Sequence, residues 1–188
     1  PRKFLPDPTE IIVDNEDPGF RLIIPEKKWL QNYFFKEQPY SEGFGGLVPK
    51  LERWNKIFSS EAYGNVVKNF YAKTEGRGTF KTEWSAEILE DGTYEILVMV
   101  PDVKTSRPNA QHYTVHGEGR EAEEILLSLE KEEWLSLGEF ELKRGKSSVV
   151  LDDRVPVNNI SVDDEHAKYL MSGKKHIVAD AVKWVKVK

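Results

Sequence analysis

Between Thr79 and Val150 apolar and polar residues alternate in short runs broken by glycine, a pattern that suits strands and not helices. In Trp84-Ser-Ala-Glu-Ile-Leu89, Trp84, Ala86 and Ile88 share one face while Ser85 and Glu87 take the other, because strand side chains alternate with a period of two. A half-buried strand is the expectation. Glu90-Asp-Gly92 carries the Asp-Gly chemistry of a tight hairpin, so Thr93-Tyr-Glu-Ile-Leu-Val-Met-Val100 is predicted to return beside it, apolar enough for burial on both faces. In Trp134-Leu-Ser-Leu-Gly-Glu-Phe-Glu-Leu-Lys143 the inward set changes from Leu135 and Leu137 to Phe140 and Leu142. That change of phase at Gly138 predicts a bulge.

Further strands are expected at Glu10 to Val13, Phe20 to Ile24, Asn65 to Lys73, Gln111 to His116 and Glu121 to Leu129, with a final strand from His176 to Val187. Pro25 to Ala62 is rich in aromatics and glycine and has no sustained period, so it reads as long loops with short strands or one short helical turn around Leu51 to Phe58. Residues 1–8 are proline-rich and read as a linker; residues 9–188 read as one domain, since 188 residues at 39% hydrophobic suit a single core. The fold class that follows is all-β, an antiparallel β-sandwich of jelly-roll or immunoglobulin-like type. Jelly roll is preferred because it tolerates long end loops.

A net charge of -5 argues against nucleic acid, whose phosphates need clustered Lys and Arg. Cysteine is absent, which removes disulfides and thiolate chemistry, and no apolar run approaches the ~20 residues of a membrane helix, so no membrane insertion is expected. No Gly-x-Ser-x-Gly elbow, phosphate loop or paired zinc motif occurs, so the chain is not expected to be an enzyme.

A sugar-binding surface needs exposed rings to stack on the C–H face of a pyranose, with amides or carboxylates beside them. Most of the tryptophans, Trp84, Trp134 and Trp184 among them, read as core. Trp29, Tyr40, Phe44 and Trp54 lie where no period demands burial, among Gln31, Asn32, Glu52, Arg53 and Asn55, and are the predicted carbohydrate-binding rings. Asp14, Glu16 and Asp17 in the turn Asp14-Asn-Glu-Asp-Pro-Gly19 offer hard oxygens of the kind calcium takes, against the simpler role of closing their own turn. By analogy with jelly-roll sugar-binding modules, Asp180 is the distant partner in such a structural calcium site. His112 and His116, which share a strand face, read as hydrogen-bonded surface histidines.

These pieces together resemble the golvesin C-terminal-like domain, a module also found on xanthan lyases, where carbohydrate binding is ascribed to it. The resemblance rests on Ile11-Ile-Val-Asp-Asn-Glu-Asp-Pro-Gly-Phe20, on Tyr71 with Gly76 and Gly78 before Trp84, and on Gly92-Thr-Tyr94. Tyr113-Thr-Val-His-Gly117, Trp134-Leu-Ser-Leu-Gly-Glu-Phe140 and Val178-Ala-Asp-Ala-Val182 complete it, so it spans most of the chain from Ile11. It implies a β-sandwich appended to a secreted, periplasmic or cell-surface bacterial protein, with a polysaccharide or glycan as partner and no required cofactor. The alternative it leaves open is a structural domain that packs on an adjacent domain of its parent chain or on a surface partner.

Overall fold

The computed structural model describes residues 10–25, 53–64, 68–101, 110–129, 134–154 and 175–188, together with the backbone of 40–43. The predicted linker therefore lies outside the described residues. In chain order the strands are β1 (Glu10–Val13), β2 (Phe20–Ile23), β3 (Tyr40–Gly43), β4 (Trp54–Phe58), β5 (Asn69–Thr74), β6 (Lys81–Ile88) and β7 (Gly92–Met99). They continue with β8 (Ala110–His116), β9 (Glu123–Ser128), β10 (Trp134–Leu142), β11 (Gly145–Asp152), β12 (His176–Ala179) and β13 (Val182–Lys186). Among the described residues no helix occurs, and none is long and apolar enough to cross a membrane.

Two antiparallel sheets form the sandwich, a four-stranded one in the order β1-β13-β7-β10 and a five-stranded one in the order β2-β6-β11-β8-β9. The alternation read from the sequence decides what each contributes. Trp84, Ala86 and Ile88 of β6, Val149 and Leu151 of β11 and Tyr113 and Val115 of β8 meet Tyr94, Ile96 and Val98 of β7 and Trp184 of β13 in one core. Each fully buried Val, Leu or Ile contributes about 1.5–3 kcal/mol relative to exposure, so this interleaving is the main source of stability. The bulge stands where it was predicted: the β10–β7 register shifts between Ser136 and Gly138, and Gly138 has a φ of 124°, a conformation that side chains with a Cβ resist.

A third sheet, β12-β5-β4-β3, lies against the sandwich, with β3 and β4 parallel and the other pairs antiparallel. Its Trp54, Tyr71, Ile177 and Ala179 join the main core, while Phe70, Ala72 and Val178 form a smaller cluster with Ala62.

Three expectations are corrected. Of the short strand or helical turn left open around Leu51 to Phe58, the helical alternative falls: Trp54–Phe58 is β4, because Ile57 and Trp54 each find a separate apolar cluster on opposite faces of a strand. The Asp-Gly at Asp91-Gly92 does not close a hairpin. β6 pairs with β2 and β11, β7 pairs with β13 and β10, and the connection carries the chain from one sheet to the other. Glycine is needed there for space, since a Cβ at Gly92 would lie 2.5 Å from the Lys188 carbonyl oxygen. The expected single last strand is two: β12 belongs to the third sheet and β13 to the four-stranded one, with Asp180-Ala181 as the crossing. That crossing is pinned by Met99 N donating to Ala181 O at 2.8 Å and by Trp84 Nε1 donating to Asp180 O at 2.9 Å.

Candidate functional site

The crossing at Asp180 gathers five segments at one end of the sandwich. The start of β13 lies between the ends of β1 and β7, since Val182 pairs with both Val13 and Val98, and the start of β10 joins them through Trp134 opposite Met99. The fifth segment is the turn 59–64, held by Tyr63 N, which donates to Asp180 Oδ2 at 2.9 Å.

Trp134 is the principal ring of this end. Because Leu135 and Leu137 point into the core, strand parity places Trp134 and Ser136 on the outer face, and Trp134 is half-buried. Tyr63 meets it edge to face, with ring centroids 5.5 Å apart and planes at 75°. Lys183 Nζ stands 4.8 Å from the Trp134 centroid, a cation–π arrangement, and pairs with Glu10 at 3.7 Å. The Tyr63 hydroxyl is raised above the usual phenol range, first by burial and then by the negative charges of Asp14, Asp17, Glu10 and Asp180. Two offset rings, an ammonium and a set of carboxylates thus share one surface.

The acidic turn between β1 and β2 largely satisfies itself. Asp17 Oδ2 accepts from Asp14 N at 2.8 Å, Asp14 Oδ1 accepts from Asn15 N at 2.7 Å, and Asp14 O accepts from Asp17 N at 3.0 Å. Buried Asn15 ties the turn to β5 by donating to Asn69 O at 3.0 Å and to Asn69 Oδ1 at 2.8 Å. Glu16 is drawn away to Lys56 at 2.5 Å. Of the four residues predicted as metal ligands, Asp14 and Asp180 are close enough for each other's charge to matter. Burial pushes Asp180 up to about 7, with the Tyr63 N–H opposing and Asp14 adding to the rise. Burial likewise pushes Asp14 up to about 6, aided by Asp17 and Glu16 and opposed by the Asn15 N–H. Among the described residues no three carboxylates or histidines converge so as to hold a metal ion.

Of the predicted sugar-binding rings, Trp54 must be corrected: it is 0% exposed in the main core and offers no face to a ligand. Tyr40 starts β3 opposite Trp54, but its side chain, like Trp29 and Phe44, lies outside the described residues. Trp84 and Trp184 are core as expected; Trp134 is not. His112 is hydrogen-bonded, its Nδ1 lying 2.9 Å from Asp152 Oδ2.

The model of the golvesin C-terminal domain family matches residues 47–186. This chain belongs to that family. Among solved structures the golvesin C-terminal domain described here is similar to part of a Paenibacillus xanthan lyase, at 19% identity and a TM-score of 0.62, over 96% of this chain and 13% of that one. It is also similar to a CBM35 from Cellvibrio japonicus Abf62, at 10% identity and a TM-score of 0.49, over 95% of this chain and 94% of that one. No curated protein matches the golvesin domain significantly. The likeness to the lyase segment agrees with the sandwich found here.

Proposed function

We propose that this domain is a non-catalytic carbohydrate-binding module of a larger secreted, periplasmic or cell-surface protein, and that its platform is the Tyr63–Trp134 pair. The observation that carries this reading is the outward position of Trp134, an amphipathic ring on a rigid strand with a second ring set against its edge. A pyranose stacked there would meet Lys183 as a donor and Glu10 as an acceptor for its hydroxyls. Names of similar structures, a xanthan lyase and a CBM35, point to the same class of ligand. The raised Asp180 carboxyl does not argue for catalysis: Asp180 is 1% exposed, so no substrate reaches it, and its shift is the cost of its burial.

A glycan array followed by calorimetry on the whole chain tests this. Trp134→Ala should weaken the best glycan about tenfold, about 1.4 kcal/mol, while the melting temperature stays near that of the parent. Absence of binding across a panel of plant, bacterial and algal polysaccharides would overturn the reading.

A further inference from the structure

The outer face of the five-stranded sheet carries a second arrangement, remote in residues from Trp134. Arg21, Glu83, Val150, Thr114 and Glu124 stand in one row across all five strands, each directly opposite the next. At the usual spacing between strands this row is about 19 Å long. Beside it runs a second row, Ile23, Lys81, Asp152, His112 and Leu126. Over these rows lies an open groove of about 580 Å³ whose lining includes Lys81, Thr114, Val150 and Arg154. That size is within the range of small-ligand sites.

The charges in the groove are not equivalent. Arg21 is paired with Glu83, and Arg154 is paired with Asp152 at 2.6 Å and reaches Glu124 at 3.6 Å. Burial would raise the Asp152 carboxyl, but hydrogen bonds from Arg154 outweigh it and hold the group below the usual carboxylate range, so this anion is committed to Arg154. Lys81 is different: among the described residues it makes no ion pair, although it is half-buried in the groove wall. An ammonium on the groove wall without a bonded counter-ion is open to an anion brought by a ligand. Val150 and Ile23 supply apolar ground for the C–H face of a sugar ring, and the Thr114 hydroxyl is available to its hydroxyls.

We infer that this groove is a second glycan-binding face, selective for acidic polysaccharide, with Lys81 as the counter-charge to a carboxylate or sulfate group on the sugar. It rests on the reading of the chain as a carbohydrate binder but uses none of the platform residues. Affinity electrophoresis and calorimetry with polygalacturonate, dextran sulfate and neutral glycans separate the possibilities. Lys81→Gln should lower affinity for the acidic polymer about tenfold, the loss of one charge-assisted hydrogen bond, and flatten its salt dependence. Glu124→Gln, which removes an exposed negative charge from the rim, should raise that affinity, and Trp134→Ala should leave it unchanged. Preference between polygalacturonate and dextran sulfate tells which anion is taken. Equal affinities of Lys81→Gln and parent, with parental melting, would overturn the groove. Neutral glycan binding lost with Trp134→Ala but no acidic binding overturns the groove and leaves the platform intact. Binding of no polymer at all overturns both.

Discussion

Lys73 Nζ donates to Asp153 Oδ2 at 2.7 Å where neither side chain reaches water. The ammonium also donates to Thr74 O at 2.9 Å and lies 4.4 Å from the Phe80 ring, while Asp153 Oδ1 accepts from Gly78 N at 2.6 Å. This pair joins β5 to the end of β11 and so fastens the third sheet to the sandwich. Lys73→Met leaves a buried carboxylate without its partner and should cost about 3–5 kcal/mol in urea unfolding. Adding Asp153→Leu removes the orphaned charge and should recover part of that loss. A single variant as stable as the parent would contradict the burial of the pair.

Gly76 packs against the same carboxylate. A Cβ built there would be 2.0 Å from Asp153 Oδ2, and Gly76 N donates to Asp153 O at 2.6 Å, so the backbone has no room to retreat. Gly76→Ala is expected to destabilise by about 1–3 kcal/mol through overpacking. Thermal unfolding beside an Arg77→Ala control reads the difference.

Asp180 makes stability depend on pH. Its carboxyl is raised from 3.8 to about 7 in the folded state, so folding favours the neutral form. The contribution is full below pH 4 and is lost as the pH rises through 7. Asp14, raised to about 6, acts with the same sign, while Lys68 opposes it. Asp180→Asn should therefore gain on the parent as pH increases from 4 to 8, with most of the gain between pH 5 and 8 in paired urea titrations. A gap between the two proteins that does not change with pH would contradict this.

Gln111 is a buried amide that spans two sheets. Its Nε2 donates to Val178 O at 3.0 Å and its Oε1 accepts from the Tyr113 hydroxyl at 3.0 Å. Gln111→Leu keeps the volume but leaves a buried carbonyl and a buried hydroxyl unpaired, at about 1–3 kcal/mol each. Tyr113→Phe added to it should return part of the loss, and a double-mutant cycle measures how much.

Short-range features were legible in the sequence because they depend on neighbouring residues alone. The alternation of Trp84, Ala86 and Ile88 and the phase change at Gly138 both appear in the structure where they were read. Partnership between strands was not legible: Asp91-Gly92 has the composition of a hairpin, but turn chemistry says that a chain reverses and not which sheet receives it. The break at Asp180 was hidden by its alanine neighbours, although a carboxylate inside an apolar run was itself the signal of a change of surroundings. Trp54 was misread because five-residue β4 shows too few periods to reveal its burial among Arg53 and Asn55. Trp134 was misread for the opposite reason. Its leucine neighbours suggested core, yet their own inward direction requires the tryptophan to face out. The hydrogen bonds that occupy Asp14, Glu16 and Asp17 needed coordinates.

Glu10 of β1 lies directly opposite Val185 of β13, so polypeptide arriving at the first strand and polypeptide departing from the last are separated by a single inter-strand gap of about 5 Å. A pull applied between Glu10 and Val185 would load this one ladder of β1 against β13 and bypass the body of the sandwich.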